Sequence, residues 1–503
     1  MREMNKLKAR WLILAVFPVG WYISLDLLAA EKLYFTMLTV FAIISASLVL
    51  KVLRGPVKRE IHLWIIFNLF VIGYYLKFYV LCNFKIDTNS EYIDLVYPFE
   101  SILLERADLL IKYYEVINIV FFVFAVLVAA LSFIKKSSKI NSIANELVVP
   151  SLIIRKSTVK RVLGFSIVCF IILTYIQVAL GLGFVSGAER QVTQLPYHIA
   201  GIIMAIYNGI IPLLFLISVW LSGFIRSNYL TKITVSAYLL FGVVAGLIST
   251  SKAPLITVVV TLFILWVVTE AITRKRLLML LLMVPFMGFF NTFLSINRTA
   301  RVSYPDLGIF EIMWRSGGSL FSTNANLTGY DQPIQHVANY VELILRINGA
   351  NSLMNIVNYA PAHSLERAWH LMFVSPETIA TLYAQDVFGI NVDFGVAFSP
   401  SLLGYFYFIF GSVVLVCFGM ILYTLIWHLL FRALLRSKLL IEPIVFSMLI
   451  VIVGLYTSEG TLESMPQSIA LIVVFAIFGE FFTRRLVKNS TSMNAYSQPS
   501  VRS

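Results

Sequence analysis

Apolar residues in this chain fall into continuous runs rather than an alternation of inward and outward positions. The runs cover residues 11–30, 33–53, 61–82, 113–134, 162–183, 200–222, 233–250, 253–272, 277–296, 401–430, 439–456 and 466–483. A helix needs about 20 apolar residues to cross the hydrocarbon core of a bilayer, and these runs cluster around that length. The pattern predicts an all-α polytopic membrane protein with about twelve transmembrane helices. Residues 1–296 are expected to hold helices one to nine with short connections, 401–483 helices ten to twelve, and 484–503 a polar, disordered cytoplasmic tail. Residues 297–400 break the rhythm as one large connection.

The polar punctuation between runs carries a sign. Arg2, Lys6, Lys8 and Arg10 precede the first run. Every second connection after it is basic: Lys51 to Arg59, Lys135 to Arg161, Arg226 with Lys232, Arg274 to Arg276, Arg432 to Lys438, and the tail from Arg484. Cytoplasmic loops carry the Lys/Arg excess of a membrane protein. Both termini are therefore expected in the cytoplasm, an even number of spans follows, and the first run is expected to remain as a span rather than be cleaved as a signal.

Composition narrows the class further. Of 503 residues, 59% are hydrophobic and 13% charged, and the mean hydropathy is +0.86. Soluble chains carry about 25% charged residues, so a soluble enzyme and a disordered chain are both excluded. The net charge of +13 comes from 39 Lys and Arg against 26 Asp and Glu. On a soluble protein it would suggest nucleic acid. Here most of the cations sit in the basic connections, so the excess is topological and no nucleic-acid partner is expected. Three cysteines, Cys82, Cys169 and Cys417, lie in or beside apolar runs without a CxxC or Cys/His cluster, which argues against structural zinc and a disulfide framework.

The informative cations are those on the expected outer side. The connection 297–400 holds five arginines and no lysine: Arg298, Arg301, Arg315, Arg346 and Arg367. Arginine offers a rigid fork of donors that matches phosphate oxygens two at a time. A connection this long should have helices of its own, and the apolar spacing predicts two, at 333–347 and 364–383. Lys252 stands in Ser-Thr-Ser-Lys-Ala-Pro, at the tip of a tight outer hairpin. It is either a lysine snorkelling to lipid headgroups or a cation for a lipid phosphate, with Ser249, Thr250 and Ser251 as hydroxyl donors. Arg298 and Arg301, in Ile-Asn-Arg-Thr-Ala-Arg, share a face if the ninth helix continues through them, as interfacial anchors or as a second phosphate clamp. Arg190 could join them from another outer loop. Such a pocket would stabilise charge developing on a leaving pyrophosphate.

Proton-accepting candidates are Glu459 and Glu463, in the short loop before the last run, and His363, in Ala-Pro-Ala-His-Ser. Each is a loop or structural residue on the bland reading, and the sequence does not choose among them. Asp26, Lys77 and Glu115 lie within or at the ends of runs, as functional groups or, for Asp26 and Lys77, as a structural pair. Tyr74, Tyr75, Tyr113, Tyr114, Tyr405 and Tyr407 read as interface-belt aromatics. Trp314, Tyr330, Tyr359 and Tyr383 could stack on sugar rings.

This layout resembles the O-antigen polymerase (Wzy) type within the bacterial oligosaccharide repeat-unit polymerases and O-antigen ligases. Two local features carry the resemblance. Ser-Thr-Ser-Lys-Ala-Pro is similar to the Ser-Arg/Lys-Gly hairpin of those enzymes, with Ala253 where glycine is usual. Ala397 to Gly411 is similar to the stretch that closes the large loop, with Pro400, Gly404 and Gly411 matching.

The resemblance implies a GT-C-like multi-pass glycosyltransferase of the bacterial inner membrane, acting at its periplasmic face. It would move a growing glycan from undecaprenyl pyrophosphate onto the next lipid-linked repeat unit. It further implies no cofactor and no metal, arginines taking the metal's place, and a chain-length regulator protein as a partner. Lys252 matches the hairpin cation that holds the donor phosphate, and Arg298 and Arg301 match the basic start of the large loop. An O-antigen ligase and a polysaccharide flippase or other secondary transporter are the rival readings. The long outer connection argues against the transporter, which would place its substrate groups near the midplane.

Overall fold

A computed structural model describes residues 61–76, 107–133, 154–179, 203, 205–225, 228–249, 251, 253–269, 273–303, 311, 314, 350–359, 361, 364–374, 378–388, 400–437, 439–459, 462 and 465–495. Every regular element among them is helical, with no strand. In chain order these are α1 (Ile61–Phe70, continuing as a π turn Val71–Leu76), α2 (Ala107–Phe133), α3 (Lys156–Ala179) and α4 (Ile211–Phe224, after a π turn Ile206–Ile210). There follow α5 (Asn228–Ser249), α6 (Ala253–Val268) and α7 (Arg274–Ser303). The large connection contributes α8 (Ala350–Tyr359), α9 (Leu365–Trp369, continuing as a π turn His370–Val374) and α10 (Ile379–Phe388). The last are α11 (Leu402–Phe410), α12 (Val413–Arg436), α13 (Glu442–Glu459) and α14 (Met465–Ala495).

Among the described residues, five helical stretches are long and apolar enough to cross a membrane: Lys156–Ala179, Ile206–Phe224, Asn228–Ser249, Val413–Arg436 and Met465–Leu486. Their outward faces support that use. Phe165, Val168, Ile171, Ile172 and Tyr175 form an exposed apolar stripe along α3. Val414, Phe418, Leu422, Ile426 and Leu429 do so along α12, and Val473, Val474, Ile477 and Phe481 along α14. Contiguous exposed stripes of this kind suit hydrocarbon rather than water.

The chain divides into two compact units: 1–140, 344–435 and 452–466 in one, and 141–343, 436–451 and 467–503 in the other. In the second unit α4 is the core. Every residue from Ile211 to Ser222 is buried, as expected for a helix apolar on all sides. It packs against α3 and α5. Its serines spend their hydroxyls on the preceding turn and on α5: Ser218 donates to the Leu214 carbonyl at 3.0 Å, and Ser222 meets Thr234 at 3.2 Å. Buried hydroxyls are thus satisfied without water.

The first unit contains a helix that cannot cross a membrane. The run 401–430, read from the sequence as one span, forms α11 and α12 with a break at Gly411 and Ser412. Gly411 adopts φ 60°, a left-handed conformation that caps α11 by donating its N–H to the Tyr407 carbonyl. At about 1.5 Å per residue, nine residues reach about 13 Å against a hydrocarbon core of about 30 Å. All of α11 from Leu402 to Ile409 is buried. The segment 364–383, read as one helix, is likewise two: α9 with its π turn ends at Val374 and α10 begins at Ile379. Pro376 lies between them, and proline disfavours helix both at its own position and at the one before. The segment 333–347 lies outside the described residues. The helix α8 was not expected. At the C-terminus α14 runs on to Ala495, into the stretch read as a disordered tail.

Candidate functional site

Two corners collect polar groups, one in each unit. In the second unit, α5 and α6 form the hairpin expected from the apolar runs, with α5 ending at Ser249 and α6 beginning at Ala253. Midway along it the Tyr238 hydroxyl meets the Thr261 hydroxyl at 2.9 Å, holding the two helices together inside an apolar interface. Near the tip, the Ser249 hydroxyl donates to the Ala245 carbonyl at 2.7 Å, and the Ser251 N–H donates to the Gly246 carbonyl at 3.0 Å. The chain can turn this tightly because residue 246 is glycine. A Cβ there would stand 2.9 Å from the Ser251 carbonyl oxygen and 3.0 Å from the Phe290 ring.

Phe290 belongs to α7. The hairpin end of α5 therefore packs directly on that helix. From Phe290 the buried stripe of α7 continues through Leu294 to Asn297, at steps of four and three residues that keep to one helical face. The next position on the stripe is 301. The helix itself runs to Ser303, so Arg298 and Arg301 stand on one continuous helix rather than on a loop. Lys252 lies outside the described residues, between Ser251 at the tip and Ala253 at the start of α6. The side chains of Arg298 and Arg301 are also outside the description. The structure thus brings together the hairpin that carries Lys252 and the helix that carries both arginines. Arg190 and Arg315 lie outside the described residues, as do Asp26 and Lys77.

Asn297 was passed over in the sequence, where it reads as a polar residue ending a run. It is fully buried, and neither its Oδ1 nor its Nδ2 has a hydrogen-bond partner. A carboxamide breaking an apolar stripe at helical spacing is the signal that could have found it.

The corner in the first unit lies around α11. Ser401 takes φ 62° and ψ 164°, a region L-residues avoid, immediately after Pro400. It is held there by bonds on its hydroxyl, which accepts from Tyr74 at 3.0 Å and from the Gly404 N–H at 3.4 Å. Tyr74 in turn accepts the Leu403 N–H at 2.9 Å, and Tyr113 donates to the Tyr74 carbonyl at 2.7 Å. At the other end of α11, Arg367 donates from Nη1 to the Phe408 carbonyl and, at 3.4 Å, to that of Ile409. Its guanidinium lies 5.0 Å over the Phe408 ring, with Asp386 at 4.0 Å. A cation at the last carbonyls of a helix meets the negative end of its dipole. Ser364 starts α9 by accepting the Arg367 N–H, which fixes where Arg367 begins.

Several sequence readings change in this unit. Tyr74, Tyr113, Tyr405 and Tyr407 are buried core residues, not interface-belt aromatics. Tyr383 is buried with its hydroxyl directed at the Ser352 carbonyl, so it offers no platform to a sugar. Tyr359 is exposed; in the other unit Trp314 is 84% exposed, and Tyr330 lies outside the described residues. Glu115 is exposed on α2. Among the proton-accepting candidates, His363 and Glu463 lie outside the described residues; Glu459 is the last residue of α13, its side chain undescribed. All three fall in the first unit, whereas the hairpin corner is in the second.

A buried histidine pair was also missed. His62 on α1 and His428 on α12 approach at 3.1 Å between Nε2 and Nδ1, and His62 stacks on Phe431 at 4.4 Å. Both histidines lie inside apolar runs, which marks intramembrane ionisable groups for attention. No family model, no curated protein and no solved structure matches the chain.

Proposed function

We propose that this protein is a polymerase of lipid-linked oligosaccharide repeat units at the periplasmic face of the bacterial inner membrane. In this reading it has twelve spans, a GT-C-like arrangement and both termini in the cytoplasm. Its partners are the bilayer, the undecaprenyl-pyrophosphate-linked glycan and a chain-length regulator. The observation that carries the reading is the packing of the Lys252 hairpin on α7 through Gly246 and Phe290, on the helix whose final turns bear Arg298 and Arg301. The alternating basic connections support an outer position for that corner, and Ser-Thr-Ser-Lys-Ala-Pro supplies the resemblance.

The chemistry follows from the charges. A hydroxyl oxygen of the acceptor sugar attacks the anomeric carbon of the donor glycan. The bond from that carbon to the phosphate oxygen breaks, and undecaprenyl pyrophosphate departs with the electron pair. The hydroxyl proton passes to a base on the enzyme. Lys252, Arg298 and Arg301, joined by Arg190 and Arg315, stabilise the negative charge that grows on the leaving pyrophosphate.

The test is the glycolipid ladder of a strain that makes the polysaccharide. Deleting the gene should leave a single repeat unit attached and abolish the ladder. Loss of all attached repeats would instead point to a ligase or a flippase. Lys252→Ala, Arg298→Ala and Arg301→Ala should each collapse the ladder while the protein stays in the membrane. Normal ladders in all three variants would refute the pyrophosphate clamp.

A further inference from the structure

We infer that Asn297 is a sugar-binding residue, which reads the first sugar of the lipid-linked glycan beside the phosphate site; this rests on the reading above. The starting fact is a buried carboxamide with both polar ends unspent. Protein interiors rarely leave such a group alone, because its desolvation is not offset by a partner. An aliphatic residue would continue the stripe of Phe290 and Leu294 without that cost. A polar group is worth keeping there when something else supplies the hydrogen bonds.

The chemistry of the group selects the ligand. A phosphate oxygen only accepts, so it would satisfy Nδ2 and leave Oδ1 facing like charge. A carboxamide with a free donor and a free acceptor suits a group that both donates and accepts. Sugar hydroxyls and acetamido groups are of that kind. The position agrees. Asn297 lies two helical turns beyond Phe290, about 10 Å along α7, on the side against which the hairpin packs. It stands one turn before position 301 on the same stripe. On the reading above, the cations of the final turns of α7 hold the pyrophosphate, one helical turn along the same helix from Asn297.

The experiment measures binding of two probes to the purified full-length protein in lipid nanodiscs. One probe is undecaprenyl pyrophosphate without sugar, and the other is the same lipid carrying a repeat unit. Wild-type protein should bind both. Asn297→Leu should bind the bare lipid like wild type and bind the glycosylated lipid about tenfold more weakly, the loss expected when a hydrogen-bonded group loses its partner. Asn297→Leu should also melt no lower than wild type, because it removes an unsatisfied buried group. Equal binding of the glycosylated lipid by wild type and Asn297→Leu would overturn the inference and leave the clamp standing. An equal loss for both probes, or a lowered melting temperature in Asn297→Leu, would assign Asn297 to structure and overturn it too. Failure of wild-type protein to bind either lipid would refute the underlying reading itself.

Discussion

The corner around α11 and the corner around the α5–α6 hairpin are built from similar materials and finished differently. Both use serine, glycine and proline to turn the chain, and both bring an arginine-bearing element to an apolar helix. Around α11 most buried polar atoms have partners, although Asn355 Nδ2 on α8 and Arg367 Nη2 lack a hydrogen bond. Ser401, Tyr74, Tyr113 and the carbonyls of Phe408 and Ile409 all have partners. At the hairpin the turn is equally closed, yet Asn297 on the neighbouring helix is left with neither end of its amide bonded. A completed buried network holds a fold, because removing one member strands the others. An incomplete one costs stability unless a ligand completes it. On this ground Arg367, a loop arginine that the sequence groups with Arg298 and Arg301, belongs with the structural set.

Three substitutions test that contrast. Gly246→Val should have the largest effect, since its Cβ and branches meet the Ser251 carbonyl and the Phe290 ring. Separating the hairpin from α7 should cost about 3 kcal/mol in an unfolding titration and abolish the ladder. Arg367→Ala should cost about 2 kcal/mol by uncapping α11 and removing the guanidinium from the Phe408 ring. Its binding of undecaprenyl pyrophosphate should be unchanged. Lost lipid binding at full stability would move Arg367 into the site and erase the distinction. Tyr74→Phe should cost about 1.5 kcal/mol, because the Leu403 N–H and the Ser401 hydroxyl each lose one partner. A neutral result would show that the strained Ser401 is held by Gly404 and packing alone.

Much of the hairpin corner was legible. The apolar runs ended at 250 and began again at 253, and the helices end at Ser249 and begin at Ala253. Such boundaries are visible because a polar tip between two apolar runs has no competing explanation. The α11 corner was not legible. A buried half-helix and a crossing helix have the same apolar composition, and only the left-handed Gly411 separates them. Tyr74 and Tyr113 misled for a related reason: a tyrosine near the end of a run suits an interface and a core equally well, and its hydroxyl's partner decides.

The sequence by itself determined that this is a helical chain rich in membrane-length apolar segments, because hydropathy and run length are local quantities. It also singled out Lys252, Arg298, Arg301 and Arg190 as cations on the expected outer side. Which polar groups are finished and which are left open was decided only by tertiary structure. Whether a carbonyl meets Arg367, or an amide such as Asn297 meets nothing, depends on residues far apart in the chain that packing brings together or keeps apart.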